Sequence, residues 1–195
     1  MFGLYRFLLA IAVVFSHLFG VPILGWLAVQ GFFILSGYLM TSVMQRRYGY
    51  HMGGVGRFAL NRFLRLFPTY WIILVACSII LAVFGAELST LFQSQMALPD
   101  TVSAWSQNLS MMFMSAFPGE VTPIISPPAW TLTVELFFYG AIALGATRTR
   151  ATTATFFALS VLYFGVTHIM GLDIQWRYGM ILAGGLPFAL GGMIY

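Results

Sequence analysis

RFLLAIAVVFSHLFGVPILGWLAVQGFFILSGYLMTSVMQR, residues 6–46, decides the fold. Between its two terminal arginines there is no Asp, Glu, Lys or Arg. A helix needs about 20 apolar residues to cross the hydrocarbon of a bilayer, so the run is too long for one crossing. GVPILG, residues 20–25, interrupts it with a proline between glycines and divides it into two. Composition agrees. The chain is 60% hydrophobic and 7% charged, whereas a soluble domain is about a quarter charged and would need far more polar surface than this. An integral membrane protein follows.

Working outward, the same hydropathy reading gives an all-α, polytopic bundle of about six transmembrane helices. They cover residues 4–19, 24–44, 66–85 (with Pro68 in its first turn), 130–146, 152–170 and 178–195. Residues 87–128 form the only long polar connection. All nine basic residues are arginine, and they sort the helix ends. Arg46, Arg47, Arg57, Arg62 and Arg65 fall between helices two and three, and Arg148 and Arg150 between four and five. The opposite connections hold Glu87, Asp100, Glu120, Asp173 and one arginine, Arg177. By the positive-inside rule both termini are cytoplasmic. A cleaved signal peptide fits poorly, because a second apolar helix follows at once and His17 interrupts the first. The formal charge of +4 is small and tied to helix ends, which argues against nucleic-acid binding. The lone cysteine, Cys77, excludes an internal disulfide framework and reads as apolar filler.

Three groups of residues could carry chemistry. Arg6 and His17 are eleven apart, about three turns, so they share one helix face about 16 Å apart along the axis. Ionisable groups at membrane depth are costly and often functional. His17 can serve as a general base towards a hydroxyl, with Arg6 binding an anion or orienting the site. The plainer alternative is a snorkelling anchor and an interhelical hydrogen-bonder. RFALNRFLRLFPTYW, residues 57–71, places Arg62 and Arg65 at i, i+3. Guanidinium forks suit phosphates; ordinary topology arginines meeting anionic lipid are the alternative. PPAWTLTVELFFYG, residues 127–140, puts Glu135 in an apolar helix, Tyr139 four residues on within hydrogen-bonding reach, and Trp130 at the interface. Partnering an arginine is a better reading of Glu135 than direct catalysis. His51 lies among glycines in a solvated loop. His168 and Asp173 are five apart, poor spacing for ligands on a helix, so no metal site is expected.

Taken in order, these segments resemble the acyltransferase family 3 membrane proteins. The spacing of Arg6 and His17 is similar to the family's first helix. QGFFILSGYLM, residues 30–40, resembles its F-F-x-L-S-G-[FY]-L block. RFLRLFPTYW, residues 62–71, resembles R-x-x-R-[IL]-x-P-x-Y-W. AWTLTVELFFYG, residues 129–140, resembles W-[ST]-L-[ST]-V-E-x-x-F-Y, with Leu136 where a second acidic residue often stands. The resemblance implies a multi-pass protein of the bacterial plasma (inner) membrane. Such a protein moves an acyl group, typically acetyl, from cytoplasmic acyl-CoA to a hydroxyl of a cell-envelope carbohydrate such as a lipopolysaccharide or exopolysaccharide. It implies His17 as base or transient acyl carrier, Arg6 in support, and Arg62 and Arg65 on the donor's phosphates. It also implies site-orienting roles for Glu135, Trp130, Tyr139 and Ser36. Phe32, Phe33, Ser36 and Gly37 would pack helix two beside helix one. No cofactor is held permanently; acyl-CoA is a substrate. Expected partners are membrane lipid, a carbohydrate or glycolipid acceptor and no nucleic acid.

Family members carry further C-terminal helices. The expectation is therefore a chain that lacks them, or that obtains them from a second copy in a homo-oligomer or from another partner. Two other functions compete. One is a transporter or exporter subunit for an envelope precursor, although no inverted repeat relates residues 1–98 to 99–195. The other is an inactive truncated remnant.

Overall fold

The computed structural model describes residues 2–92, 96–113 and 125–195, and the side chains among these except for 86–92. Glu120 and the side chain of Glu87, both assigned above to outer connections, lie outside the described residues. Among the described residues there is no strand. The helices are α1 (Phe2–Phe19), α2 (Pro22–Val43), α3 (Met52–Phe92), α4 (Val102–Ser110), α5 (Trp130–Ala143), α6 (Arg150–Ile169) and α7 (Gly185–Ile194). Phe2–Phe19, Pro22–Tyr48, Met52–Gly85 and Arg150–Ile169 are long and apolar enough to cross a membrane, while α5 and Ile181–Ile194 are shorter. The chain forms two compact units, Met1–Val55 with Phe138–Tyr195, and Gly56–Phe137.

In the first unit the break read at residues 20–25 is built from two devices. Gly20 takes φ +64° and the Val21 N–H donates to the Ser16 carbonyl at 3.1 Å, a glycine-ended helix terminus. Pro22 then opens α2, where its missing N–H costs nothing. α1 lies on α2 through buried Ser16 against Gly25, and through Tyr5 and Leu9 against Gly31. The crossing of α2 with α7 is closer. A methyl group on Gly37 would overlap the Phe188 carbonyl, and one on Gly191 would overlap the Ile34 carbonyl and the Tyr38 N–H. Only glycine permits that approach. Phe188, fully buried, stacks on Phe33 at 5.3 Å and on Phe138 at 4.8 Å, so α2, α5 and α7 share one aromatic core. This corrects the expectation for the 30–40 block. Gly37 and Phe33 face α7 rather than α1, because the close-packed glycine partner is Gly191.

The ends of this unit are sorted by charge. Phe2 packs on Tyr38 and Tyr38 on Tyr195, so the first and last described residues meet at one end. Arg46 is there too, its Nε donating to the Tyr195 hydroxyl at 3.2 Å and its guanidinium over that ring. Arg148 lies over Tyr50. Burial pushes the Tyr50 phenol up, against the opposing pull of Thr147 and Arg148. Thr41 Oγ1 donates to Thr147 Oγ1 at 2.9 Å, tying the end of α2 to the α5–α6 turn. Thr149 then caps α6 reciprocally with Thr152.

The second unit departs from the sequence reading in two ways. α3 begins at Met52, fourteen residues before the apolar run, and Pro68 lies in its interior rather than its first turn. The earlier turns are amphipathic, so hydropathy alone starts the helix too late. Phe58, Arg62, Leu66, Tyr70, Leu74, Cys77 and Leu81 repeat at spacings of four and three along the face that packs inward. α3 breaks at Gly85, φ +75°. Second, the 87–128 connection is more than a polar loop. It contains α4, capped by Thr101 Oγ1 accepting from the Ala104 N–H. Met111, Phe113, Ile125 and Ala129 form a core with Tyr70, Leu74 and Leu81 of α3.

Candidate functional site

α1 carries Arg6 and His17 on one continuous helix. Its inward stripe is Leu9, Ala12, Val13 and Ser16. At 100° per residue, Arg6 and His17 both lie about 70–90° from the middle of that stripe, on the same edge. Arg6 is half-buried and His17 exposed. The pair therefore borders the seam between α1 and α2 instead of filling it. Arg6 is near the arginine-rich end of the unit and His17 near the opposite one.

Ser36 and Tyr139, drawn from separate sequence blocks, are brought together. Ser36 is 2% exposed and Tyr139 6%, and the Tyr139 hydroxyl donates to Ser36 Oγ at 3.5 Å. This bond is long. It nevertheless sets two hydroxyls side by side where α5 meets α2, a neighbour for Tyr139 that its i+4 spacing from Glu135 does not reveal.

The two arginines of α3 occupy different environments. Arg62 falls on the inward stripe and is 9% exposed; its Nη2 donates to Asn61 Oδ1 at 2.7 Å and its guanidinium lies over Phe58 at 5.8 Å. Arg65 is exposed and lines a groove of about 400 Å3 between α3 and residues 126–132. The two, three residues apart on one helix, thus differ in burial. Trp130 opens α5 and Glu135 follows in its second turn, both half-buried.

Sequence reasoning missed the residue that organises this unit. Asn108 is 1% exposed. Its carbonyl accepts from the Tyr70 hydroxyl at 2.6 Å, its Oδ1 from the Ile125 N–H at 3.4 Å, and its Nδ2 donates to the Ala104 carbonyl at 2.9 Å. Trp71 Nε1 donates to the Leu109 carbonyl, and Thr133 Oγ1 donates to the Met111 carbonyl while accepting from the Phe113 N–H. Tyr70 and Trp71 are five and six residues into the uncharged run 66–84. Non-helical backbone beside such a run must be satisfied within the protein, and these side chains do that. A polar residue in a short polar helix gives no hydropathy signal.

The remaining histidines have structural work. His51 Nδ1 accepts from the Gly54 N–H at 3.1 Å at the start of α3. His168 Nδ1 is bonded to the Phe164 carbonyl, and Asp173 Oδ1 accepts from the Gln175 and Trp176 N–H groups. Among the described residues no three His, Cys, Asp or Glu side chains gather as metal ligands would.

A family model described as an acyltransferase domain matches residues 3–195. No curated protein and no solved structure matches the chain.

Proposed function

We propose, from the premise that this chain belongs to the acyltransferase 3 family, that it moves an acyl group from acyl-CoA on the cytoplasmic side to a hydroxyl of a cell-surface carbohydrate. Family membership and the apolar helices make it a membrane acyltransferase in general terms. The donor, the acceptor, the direction and the plasma membrane as location are our reading. The observation that carries it is the match over residues 3–195, within which Arg6 and His17 share one edge of a single unbroken helix.

His17 takes the proton of the acceptor hydroxyl. The oxygen attacks the thioester carbonyl, the carbon–sulfur bond breaks, and CoA leaves as a thiolate that regains the proton. In the alternative, an imidazole nitrogen attacks the thioester carbonyl, the carbon–sulfur bond breaks and CoA leaves as a thiolate that takes the ring proton. The acceptor hydroxyl then attacks the acyl-imidazole, the carbon–nitrogen bond breaks, and the hydroxyl proton returns to the ring. Arg6 stabilises negative charge on the donor side of His17. Arg65, exposed, meets a donor phosphate, and Arg62, buried over Phe58, holds its part of α3 in register. Glu135, Trp130 and the Ser36–Tyr139 pair orient the helices that carry them. The arginine-rich end of the first unit, where residues 2 and 195 meet, is the cytoplasmic end on this reading.

The test is acyl transfer from radiolabelled acetyl-CoA into a carbohydrate fraction of membranes holding the protein. His17→Ala should abolish it while leaving insertion intact. Label captured on the protein itself when acceptor is withheld, and lost in that variant, distinguishes the carrier route from the base route.

A further inference from the structure

Arg65, Thr69 and Ile73 stand at i, i+4 and i+8 and form one wall of the groove in the second unit; Pro128, Ala129 and Leu132 are part of the other. Among the described residues that line it, Arg65 is the one with a formal charge. Residues 66–84 carry no charge, so Arg65 marks the edge of the apolar run and Ile73 lies about 12 Å further along the helix axis. The groove thus has a cationic mouth and an apolar foot. The far wall, which also includes Ser126 and Thr131, leaves few donors unpaired: Pro128 has no N–H, the Ala129 N–H donates to the Ser126 carbonyl at 2.9 Å, and Thr131 Oγ1 donates to the Pro128 carbonyl at 2.9 Å. The volume is at the small end for ligand sites, enough for a chain but not for a nucleotide as well.

We propose that this groove receives the acyl-bearing arm of the donor, with a donor phosphate on Arg65 and the acyl group against Ile73 and Leu132, so that these two side chains set which acyl lengths are accepted. The inference rests on the donor reading given above and adds to it a location and a selectivity. A phospholipid shares the chemistry, an anionic head and an apolar chain. Size favours the donor arm: one narrow channel matches the single chain of that arm, whereas a phospholipid brings two.

The probe is a short-chain diazirine-bearing acyl-CoA, photolysed with the full protein in membranes and mapped by peptide mass spectrometry. The expected result is an adduct on peptides holding Ile73 or Leu132, competed by acetyl-CoA and not by phosphatidylglycerol. Ile73→Trp should lower that adduct about tenfold, whereas Ile73→Leu retains it, which separates a filled groove from a misfolded helix. Leu132→Ala should shift labelling towards longer acyl probes. An adduct competed by acetyl-CoA but mapped elsewhere overturns the groove and leaves the donor reading standing. An adduct in the groove competed only by phospholipid makes it a lipid seat and overturns the inference. No competed adduct anywhere removes the donor reading and this one with it.

Discussion

The two units solve the problem of packing in a membrane by opposite means. In the first, helices approach through missing side chains: Gly37 and Gly191 let the backbones of α2 and α7 nearly touch, and Phe33, Phe138 and Phe188 fill what remains. Its charged side chains Arg46 and Arg148 rest on tyrosines near one end, and polar contacts inside it are few and small, such as the long Tyr139–Ser36 bond. In the second, one long helix is joined to short, irregular backbone by side-chain hydrogen bonds through Tyr70, Trp71, Asn108 and Thr133. Shape specifies the first unit and hydrogen bonding the second. Glycine crossings tolerate no added atoms, whereas bonds to backbone carbonyls tolerate volume changes but not the loss of a donor.

The largest expected effect breaks the shape rule. Gly191→Val should cost about 3 kcal/mol or more, because backbone rather than a flexible side chain stands in the way. Thermal unfolding in detergent should show the first unit lost, and near-native melting would mean that α2 and α7 are not held by this contact. Next is Asn108→Ala. It leaves the Ile125 N–H without its acceptor at a fully buried position and should cost about 1–3 kcal/mol. Hydrogen exchange should rise in residues 102–113 and 125–133, and equal rises in α2 and α7 would erase the distinction between the units. Tyr70→Phe removes one hydroxyl bond while keeping the ring, for about 1 kcal/mol. The smallest effect is at the arginine-rich end. Arg46→Ala removes an exposed cation–π contact and a hydrogen bond to Tyr195 and should lower the melting temperature only slightly.

The same contrast explains what was legible in the sequence. Hydropathy and Gly–Pro punctuation found α1, α2, α6 and the break at Gly20 and Pro22 to within a few residues, because in lipid the apolar run is itself the physical requirement for a helix. The sorting of Arg46, Arg148 and Arg150 to one end of the first unit was readable for the same reason. Helix partners were not: Gly37 is a packing residue in either reading, and nothing in its neighbours says that it meets α7 rather than α1. α4 escaped notice because VSAWSQNLS is polar, and its place is fixed by Asn108 and Tyr70, which are 38 residues apart. The start of α3 was missed because its first turns are amphipathic and contain glycines, Gly53, Gly54 and Gly56, that ordinarily discourage a helix. At the candidate site, the motif blocks selected Ser36 and Tyr139, which do meet. They also selected Arg62 and Arg65, of which the first is buried and the second exposed. Spacing places residues on a face, but only the packed neighbours show which face is covered.

The most direct test of the central claim compares wild-type protein with His17→Ala in the same membranes, with insertion matched by quantitative labelling, for transfer of radiolabelled acetyl from acetyl-CoA to carbohydrate. Label on carbohydrate with the wild type and none with His17→Ala is the predicted result. Equal label from both would contradict the account, since His17 would then take no part in moving the acyl group.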